Sequence, residues 1–128
     1  EESAVEMARS NARLNGLEDF ARFEAADLYD QGGRNATGHA QLAEVMRENP
    51  TSILLDPSRS GAGPHLASVC KKESVERIVY VSCNPETFAS DGAILIESGF
   101  RLERVGVFDM FPNTSHLETL GVFVKERL

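Results

Sequence analysis

A chain of 128 residues, 41% hydrophobic and 26% charged, has the length and balance of one modest globular domain. Thirteen Lys and Arg against 20 Asp and Glu give a net charge of −7, which argues against a self-sufficient nucleic-acid-binding module. Two cysteines do not make a disulfide framework, and no apolar run reaches the length of a membrane span. We therefore expect a cytoplasmic protein. Because the sequence begins at Glu1 rather than at Met and its helical pattern begins at once, we also expect it to be part of a longer chain.

The apolar pattern predicts four helices and five strands. Apolar positions three or four residues apart, ended by Gly, Asn or Pro, place the helices at residues 1–14, 41–48, 64–72 and 86–97. Alternating or continuous β-branched runs place the strands at residues 20–26, 52–55, 77–82, 100–108 and 119–125. Breaker residues predict a loop over residues 31–38. Strands alternate with helices until the last two, which predicts a mainly parallel α/β sheet with an antiparallel last hairpin.

Polar side chains follow three of the predicted strands. Asp27 and Asp56 follow the first and second strands, and Cys83 follows the third. Because the carboxyl ends of parallel strands share one edge of a sheet, these side chains can converge on one ligand. Taken alone, Asp27 is as well explained by a turn or helix cap, and an isolated cysteine is more often a buried structural thiol.

Two loops bear on these alternatives. The first loop begins at Asp56, directly after the predicted strand at residues 52–55. Its Asp56 carboxylate can accept a hydrogen bond from a planar N–H, and its Arg59 side chain can bind an anion or a carboxylate. The second loop, residues 108–118, interleaves Phe, Met and Pro with His116 and Glu118. It is either an apolar loop with solvated polar residues or a pocket wall that carries Glu118 as a base.

Other kinds of site have little support. No set of metal-ligating residues recurs at useful spacing, and His39 and His65 lie in unrelated segments, so we predict no metal. The sequence also lacks the Gly-x-Ser-x-Gly motif of many serine hydrolases.

Four stretches resemble the carboxyl-terminal part of the RNA (uracil-5-)-methyltransferases, which are class I S-adenosylmethionine-dependent enzymes. They are residues 11–16 (Asn-Ala-Arg-Leu-Asn-Gly), 55–61 (Leu-Asp-Pro-Ser-Arg-Ser-Gly), 79–87 (Val-Tyr-Val-Ser-Cys-Asn-Pro-Glu-Thr) and 109–118 (Asp-Met-Phe-Pro-Asn-Thr-Ser-His-Leu-Glu). The resemblance is strongest to the 23S ribosomal RNA branch, with the tRNA branch as the close alternative. It implies that residues 1–128 are the carboxyl-terminal part of a catalytic domain. The fold implied is Rossmann-like and incomplete, without its first two strands.

The resemblance also implies a reaction and a set of site residues. The methyl group of S-adenosylmethionine would go to C5 of a uridine, with Cys83 adding to C6 and Glu118 removing the C5 proton. Asp56 would hold the uracil edge or the cofactor, and Asp27 would meet the cofactor's adenosine. The remaining substrate-binding residues implied by the resemblance are Arg59, Phe111 and His116, with Phe108 as a second wall of the pocket.

Some features of the family are not found in this sequence. They are the strand and Gly-rich turn under the cofactor, and the acidic end of the second strand. We therefore expect the isolated chain to be inactive, and RNA contacts to come through modules outside it. The missing strands would leave a gap in the sheet, and exposed strand edges favour a homodimer or swapped assembly. The alternative is a non-catalytic interaction module that retains the fold, although such a module has no need to keep Cys83 together with Glu118.

We predict that the isolated chain does not bind S-adenosylmethionine with micromolar affinity, because the Gly-rich turn that cradles the cofactor is missing. Isothermal titration calorimetry of the purified chain measures this directly. A complete class I methyltransferase, titrated under the same conditions, is the control. A micromolar binding isotherm for the chain would show that the cradle is not needed.

Overall fold

The computed structural model of the protein describes residues 2–28, 37–63 and 65–126. Within these ranges the secondary structure consists, in order, of α1 (Glu2–Leu14), α2 (Thr37–Arg47), β1 (Ser52–Leu55), α3 (His65–Cys70), β2 (Arg77–Ser82), α4 (Pro85–Glu97), β3 (Phe100–Phe108) and β4 (Glu118–Lys125). The chain divides into two compact units, residues 1–41 and 42–128. None of the described helices is both long and apolar enough to cross a membrane.

In the first unit, α1 ends where its sequence predicts. Gly16 has a φ of +66°, a left-handed conformation that glycine adopts without steric cost. The N–H of Leu17 donates to the carbonyl of Ala12 at 2.8 Å, and the N–H of Gly16 donates to that of Arg13 at 3.1 Å. These bonds satisfy carbonyls that the end of a helix leaves without partners.

The prediction of a strand at residues 20–26 is wrong. These residues do not belong to the described sheet, and Phe20 is 84% exposed. The guanidinium of Arg9 donates to the carbonyl of Phe23 at 2.8 Å, so a side chain binds a backbone group that a neighbouring strand would otherwise bind. Alternating side chains favour an extended chain, but a strand also needs a partner for its backbone, and the described residues supply none here.

The second helix begins earlier than predicted, at Thr37 rather than at residue 41. Glycine is a poor helix former, so Gly38 concealed the first turn of α2 in the sequence pattern. Most of the loop predicted at residues 31–38 lies outside the described residues, and its last part, from Thr37, is helical. The predicted stop is confirmed, because Asn49 adopts a left-handed φ of +54° just before Pro50.

The second unit is built on a four-stranded sheet in the order β1-β2-β4-β3. β1 runs parallel to β2, whereas β4 runs antiparallel to both β2 and β3. Three strands therefore share one direction and the last opposes them, which confirms the predicted α/β sheet with an antiparallel final hairpin. The expected internal gap does not appear in the described sheet, because residues 20–26 do not join it and β1 forms one edge.

Helices α3 and α4 pack on one face of this sheet. The strand alternation turns Ile78 and Tyr80 towards the helices, and the ring of Phe88 on α4 meets that of Tyr80 edge to face at 5.8 Å. Burial of each large core side chain contributes about 1.5–3 kcal/mol. The buried cluster consists of Leu66, Val69, Cys70, Val75, Ile78, Tyr80, Leu95, Phe100 and Phe123.

The opposite face of the sheet is apolar as well. Val79 and Val81 of β2 and Leu120 and Val122 of β4 are half-buried there, and Leu54 of β1 is 68% exposed. This second apolar face extends to the carboxyl ends of β1 and β2, where the sequence places Asp56 and Cys83.

Candidate active site

Cys83 lies at the junction between β2 and α4. The apolar strand ends at Ser82, and the side chain of Asn84 caps α4 by accepting a hydrogen bond from the N–H of Glu86 at 3.1 Å. Pro85 takes the first helical position, where its missing N–H has no partner to lose. Cys83 is a free, half-buried thiol in this short turn.

Hydrogen bonds fix the turn around Cys83. The hydroxyl of Ser82 donates to the carbonyl of Asn84 at 2.9 Å, and the N–H of Asn84 lies 3.1 Å from that same hydroxyl oxygen. The Asn84 side-chain amide donates to the carbonyl of Arg59 at 3.2 Å. The Thr87 hydroxyl lies 3.1 Å from the Asn84 carbonyl and 3.3 Å from the Arg59 carbonyl. The turn is therefore fastened to the loop that follows β1.

The pairing of β2 with β4 places Cys83 next to Glu118. Ser82 is the partner of Thr119 in this antiparallel ladder. Because Cys83 follows Ser82 and Glu118 precedes Thr119, the same register sets thiol and carboxylate side by side at the end of the two strands. Glu118 is half-buried and pairs on its other side with Phe108 of β3.

Beside this pair lies an open cavity of about 450 Å³, lined by Asp56, Val81, Phe108, Met110, Glu118 and Leu120. Two carboxylates thus face a space whose other walls are apolar. Pockets of this kind suit a flat organic ring, since apolar walls cover its faces and a few polar groups bind its edge. The lining does not include Cys83, but strand alternation extended beyond β2 puts Cys83 on the same side as Val81.

The other predicted site residues lie outside this lining. Arg59, Phe111 and His116 are exposed, and the N–H of His116 donates to the hydroxyl of Thr114 within the loop between β3 and β4. Asp27 is exposed in the first unit. The structure therefore brings Asp56, Phe108 and Glu118 together and places Cys83 beside them.

No group of three or more His, Cys, Asp or Glu residues in the described part of the chain could hold a metal ion. The side chains of His39 and His65 are not among those described.

Asp91 is a residue of this region that the sequence analysis missed. It lies on the buried side of α4, and its carboxylate accepts hydrogen bonds from the N–H of Ala62 at 2.7 Å and from the hydroxyl of Tyr80. The sequence carried a signal for this role, because Asp91 lies on the same helix face as Gly92 and Leu95. An acidic side chain on a buried face needs hydrogen-bond donors from neighbouring segments.

The two thiols differ in environment. Cys70 is 3% exposed in the core, and burial raises the pKa of its thiol, against a smaller lowering by a hydrogen bond from Ser98 and by the charge of Lys125. Cys83 is half-buried at a strand end.

Comparison with known proteins identifies the family. A family model described as tRNA (Uracil-5-)-methyltransferase matches residues 1–127. The chain belongs to this family. Among solved structures it is similar to the tRNA (uracil-54, C5)-methyltransferase of Pyrococcus abyssi in complex with S-adenosyl-L-homocysteine. The sequence identity is 34% and the TM-score 0.69, over 97% of this chain and 27% of that one.

Curated relatives include 23S rRNA (uracil(1939)-C(5))-methyltransferases. The chain is 44% identical to the RlmD protein of Aeromonas salmonicida over 119 residues, which are 93% of this chain and 25% of the relative. It is 38% identical to the RlmD protein of Vibrio cholerae over 122 residues, 95% of this chain and 26% of the relative. The chain thus spans about a quarter of the length of these relatives.

We predict that iodoacetamide alkylates Cys83 at least about tenfold faster than Cys70 at pH 7.5. Burial keeps Cys70 protonated and shielded, and even a local opening that costs about 1.4 kcal/mol lowers the reactive population tenfold. Mass spectrometry of tryptic peptides after timed alkylation gives both rates from one sample. In urea, where the chain is unfolded, both thiols should react at similar rates. Equal rates in the native protein as well would contradict this difference in environment.

Proposed function

We propose that this chain carries the nucleophile and the base of an enzyme that methylates C5 of uridine in RNA. The observation that carries the proposal is the β2–β4 register, which sets Cys83 beside Glu118 next to a cavity that also contains Asp56. A purely structural remnant of the fold does not require a thiol and a carboxylate at adjoining strand ends. Membership of the uracil-5-methyltransferase family supports the same reading.

The chemistry of uracil explains why these groups belong together. C5 of uracil is a weak nucleophile. In the proposed reaction the sulfur of Cys83, as the thiolate, bonds to C6, and the displaced electron pair makes C5 and the C4 carbonyl an enolate. Once C5 carries the methyl group, Glu118 takes the remaining C5 proton. The electron pair of that C–H bond then restores the C5–C6 double bond and expels the sulfur.

In this proposal, Asp56 and the apolar lining of the cavity hold the uracil ring. The Asp56 carboxylate accepts a hydrogen bond from the N–H of the uracil edge, and Phe108 and Met110 cover a face of the ring. A uracil can enter such a cavity only after it leaves its base stack. Arg59, Phe111 and His116, exposed on the neighbouring loops, are proposed to contact the nucleotides around it.

S-adenosylmethionine, when bound, supplies the electrophilic methyl group. The cavity fits the reacting end of this cofactor, since it offers the carboxylates of Asp56 and Glu118 among apolar side chains. Asp56 and Asp27 are the residues of this chain proposed to hold it. The relative from Pyrococcus abyssi carries S-adenosyl-L-homocysteine, the product of such a transfer.

The proposed substrate is 23S ribosomal RNA. The curated relatives from Aeromonas salmonicida and Vibrio cholerae are named for a uracil of that RNA, whereas the solved relative from Pyrococcus abyssi is named for a tRNA uracil. The charge of −7 means that the RNA backbone would be bound mainly by segments other than this chain. Action on cytoplasmic RNA would place the protein in the cytoplasm.

A chimaera provides the test system, because the chain corresponds to only a quarter of its relatives. This chain replaces the matching segment of the Aeromonas salmonicida enzyme, and methyl transfer to a 23S rRNA transcript is followed with labelled S-adenosylmethionine. Active transfer is expected. An inactive chimaera that folds would contradict the proposal, and preference for a tRNA transcript would favour the tRNA branch.

Cys83→Ala is predicted to lower methyl transfer by the chimaera at least about a thousandfold, as expected for loss of a covalent nucleophile. The matched control is Cys70→Ala, which removes the chain's other cysteine. It is expected to cost about 1 kcal/mol of stability while leaving the transfer rate near that of the parent. Retained turnover in Cys83→Ala would refute the covalent mechanism.

Glu118→Gln is predicted to trap the RNA on the protein. An amide cannot take the C5 proton, so release of the sulfur slows by about a hundredfold or more and the methylated adduct accumulates. A denaturing gel with labelled RNA shows it as a slow-moving band that Cys83→Ala abolishes. Glu97→Gln, an exposed change on α4, is the control and gives no band. If Glu118→Gln turns over normally, another group is the base.

Self-association is a separate proposal, supported by the position of β1 at one edge of the described sheet and by the exposure of Leu54 on the second apolar face. The isolated chain is expected to give the mass of a dimer in size-exclusion chromatography with light scattering. Leu54→Lys should shift it to monomer, whereas Leu14→Lys, which is also exposed but lies on α1, should not. A monodisperse monomer for the parent chain would overturn this proposal.

A further inference from the structure

The carboxylate of Asp91 is buried, at 8% exposure, and has no part in the proposed reaction. A buried carboxylate is costly unless donors bind it. One oxygen, Oδ2, accepts both the backbone N–H of Ala62, at 2.7 Å, and the hydroxyl of Tyr80. A hydrogen bond to a charged acceptor is about twice as strong as one between neutral groups, so this oxygen is a strong point of attachment.

These two bonds join three parts of the site region. Ala62 belongs to the loop that follows β1 and begins at Asp56. Tyr80 lies in β2, three residues before Cys83, and Asp91 lies on α4. A single oxygen thus connects the loop that carries Asp56 to the strand that directly precedes Cys83.

Gly61 shows independently that the loop is fitted to this carboxylate. Gly61 is buried with a φ of +90°, and a Cβ atom placed on it would lie 2.7 Å from Oδ2 of Asp91. The backbone conformation therefore requires glycine, and a Cβ atom there would also displace the Asp91 carboxylate. The loop could not sit against α4 in this way with any larger residue.

The same helix holds the loop at a second point. The side chains of the cap residue Asn84 and of Thr87, in the first turn of α4, bind the carbonyl of Arg59 at 3.2 and 3.3 Å. Cys83 directly precedes Asn84. The cysteine turn therefore lies at the amino end of α4. The helix and its cap also bind the loop that begins at Asp56 by hydrogen bonds at two points, Arg59 and Ala62.

We propose that Asp91 is a positioning residue, which holds the loop from Asp56 to Gly61 in place relative to the Cys83 turn. The inference rests on the proposed function, since it concerns the alignment of Asp56 with Cys83. Ser82 and Asn84 fix the cysteine turn without help from Asp91, so loss of Asp91 displaces the loop and leaves the turn intact.

The test compares Asp91→Ala with Asp91→Asn in the chimaera. Asp91→Ala removes both bonds, and a loop displaced by about 1 Å lowers kcat/KM about a hundredfold. Asp91→Asn keeps an oxygen that can accept both hydrogen bonds, so its kcat/KM is at least a tenth of the parent value. That is about tenfold above Asp91→Ala, which corresponds to about 1.4 kcal/mol of activation free energy. Glu97→Ala, on the exposed side of the same helix, leaves kcat/KM unchanged.

Alkylation separates positioning from a general loss of structure. In Asp91→Ala, iodoacetamide should modify Cys83 at the parent rate while Cys70 stays protected. Protection of Cys70 shows that the core is closed, so the loss of activity is local. If Cys70 becomes reactive in Asp91→Ala, the variant Tyr80→Phe tests the positioning role instead. It removes one of the two hydrogen-bond donors to Asp91 and keeps the aromatic ring in the core. A three- to tenfold loss in Tyr80→Phe, with Cys70 protected, supports the proposal.

The proposal fails if Asp91→Ala retains the parent kcat/KM with Cys70 protected, if Asp91→Asn is as defective as Asp91→Ala, or if Tyr80→Phe is fully active. These results are distinct from failure of the proposed function. That failure appears instead as an inactive parent chimaera or as turnover by Cys83→Ala.

Discussion

Antiparallel pairing between β2 and β4 is the interaction on which the site depends. β4 lies between β2 and β3, so the carboxyl end of β2 meets the amino end of β4. The register that pairs Ser82 with Thr119 therefore decides that Cys83 and Glu118 adjoin. A slip of one residue would turn every side chain of β4 to the opposite face and would send Glu118 away from the cavity.

That register is itself held by the core beneath the sheet. Ile78, Tyr80 and Phe123 are buried against the helices, and alternation leaves Val81, Leu120 and Glu118 on the opposite face. Gly121 admits the ring of Phe88, since a Cβ atom there would lie 2.6 Å from that ring. The packing that stabilises one face thus fixes which residues line the cavity on the other.

Helix α4 links this packing to the chemistry. Its cap, Asn84, ends the cysteine turn, its buried face covers the core, and Asp91 grips the loop after β1. The same helix accordingly serves stability and the alignment of the site. This arrangement explains how a chain that spans a quarter of its relatives can hold thiol, carboxylates and cavity within one unit.

The sequence by itself predicted the strands of the sheet, the helix stops and the chemistry-bearing residues, because these are local properties. β2 and β3 have the predicted bounds, Asn49 and Gly16 adopt the left-handed stops, and the motif around Cys83 identified the family. The strand predicted at residues 20–26 is wrong for a physical reason. Alternating apolar and polar side chains favour an extended chain, but they do not provide the neighbouring strand that its backbone groups need. The roles of Cys83, Glu118 and the other site residues stay predictions.

Only the tertiary structure decided which of these residues meet. The order β1-β2-β4-β3 joins Glu118 to Cys83 across a gap of many residues in sequence, and no local pattern contains that information. It also decided that Asp56 shares a cavity with Glu118 whereas Arg59, Phe111 and His116 do not. Asp91 appeared in the sequence as one acidic residue among 20 Asp and Glu. Its role became visible when Ala62 and Tyr80, brought from two other segments, were found on one oxygen, because hydrogen bonds between distant segments exist only after the chain has folded.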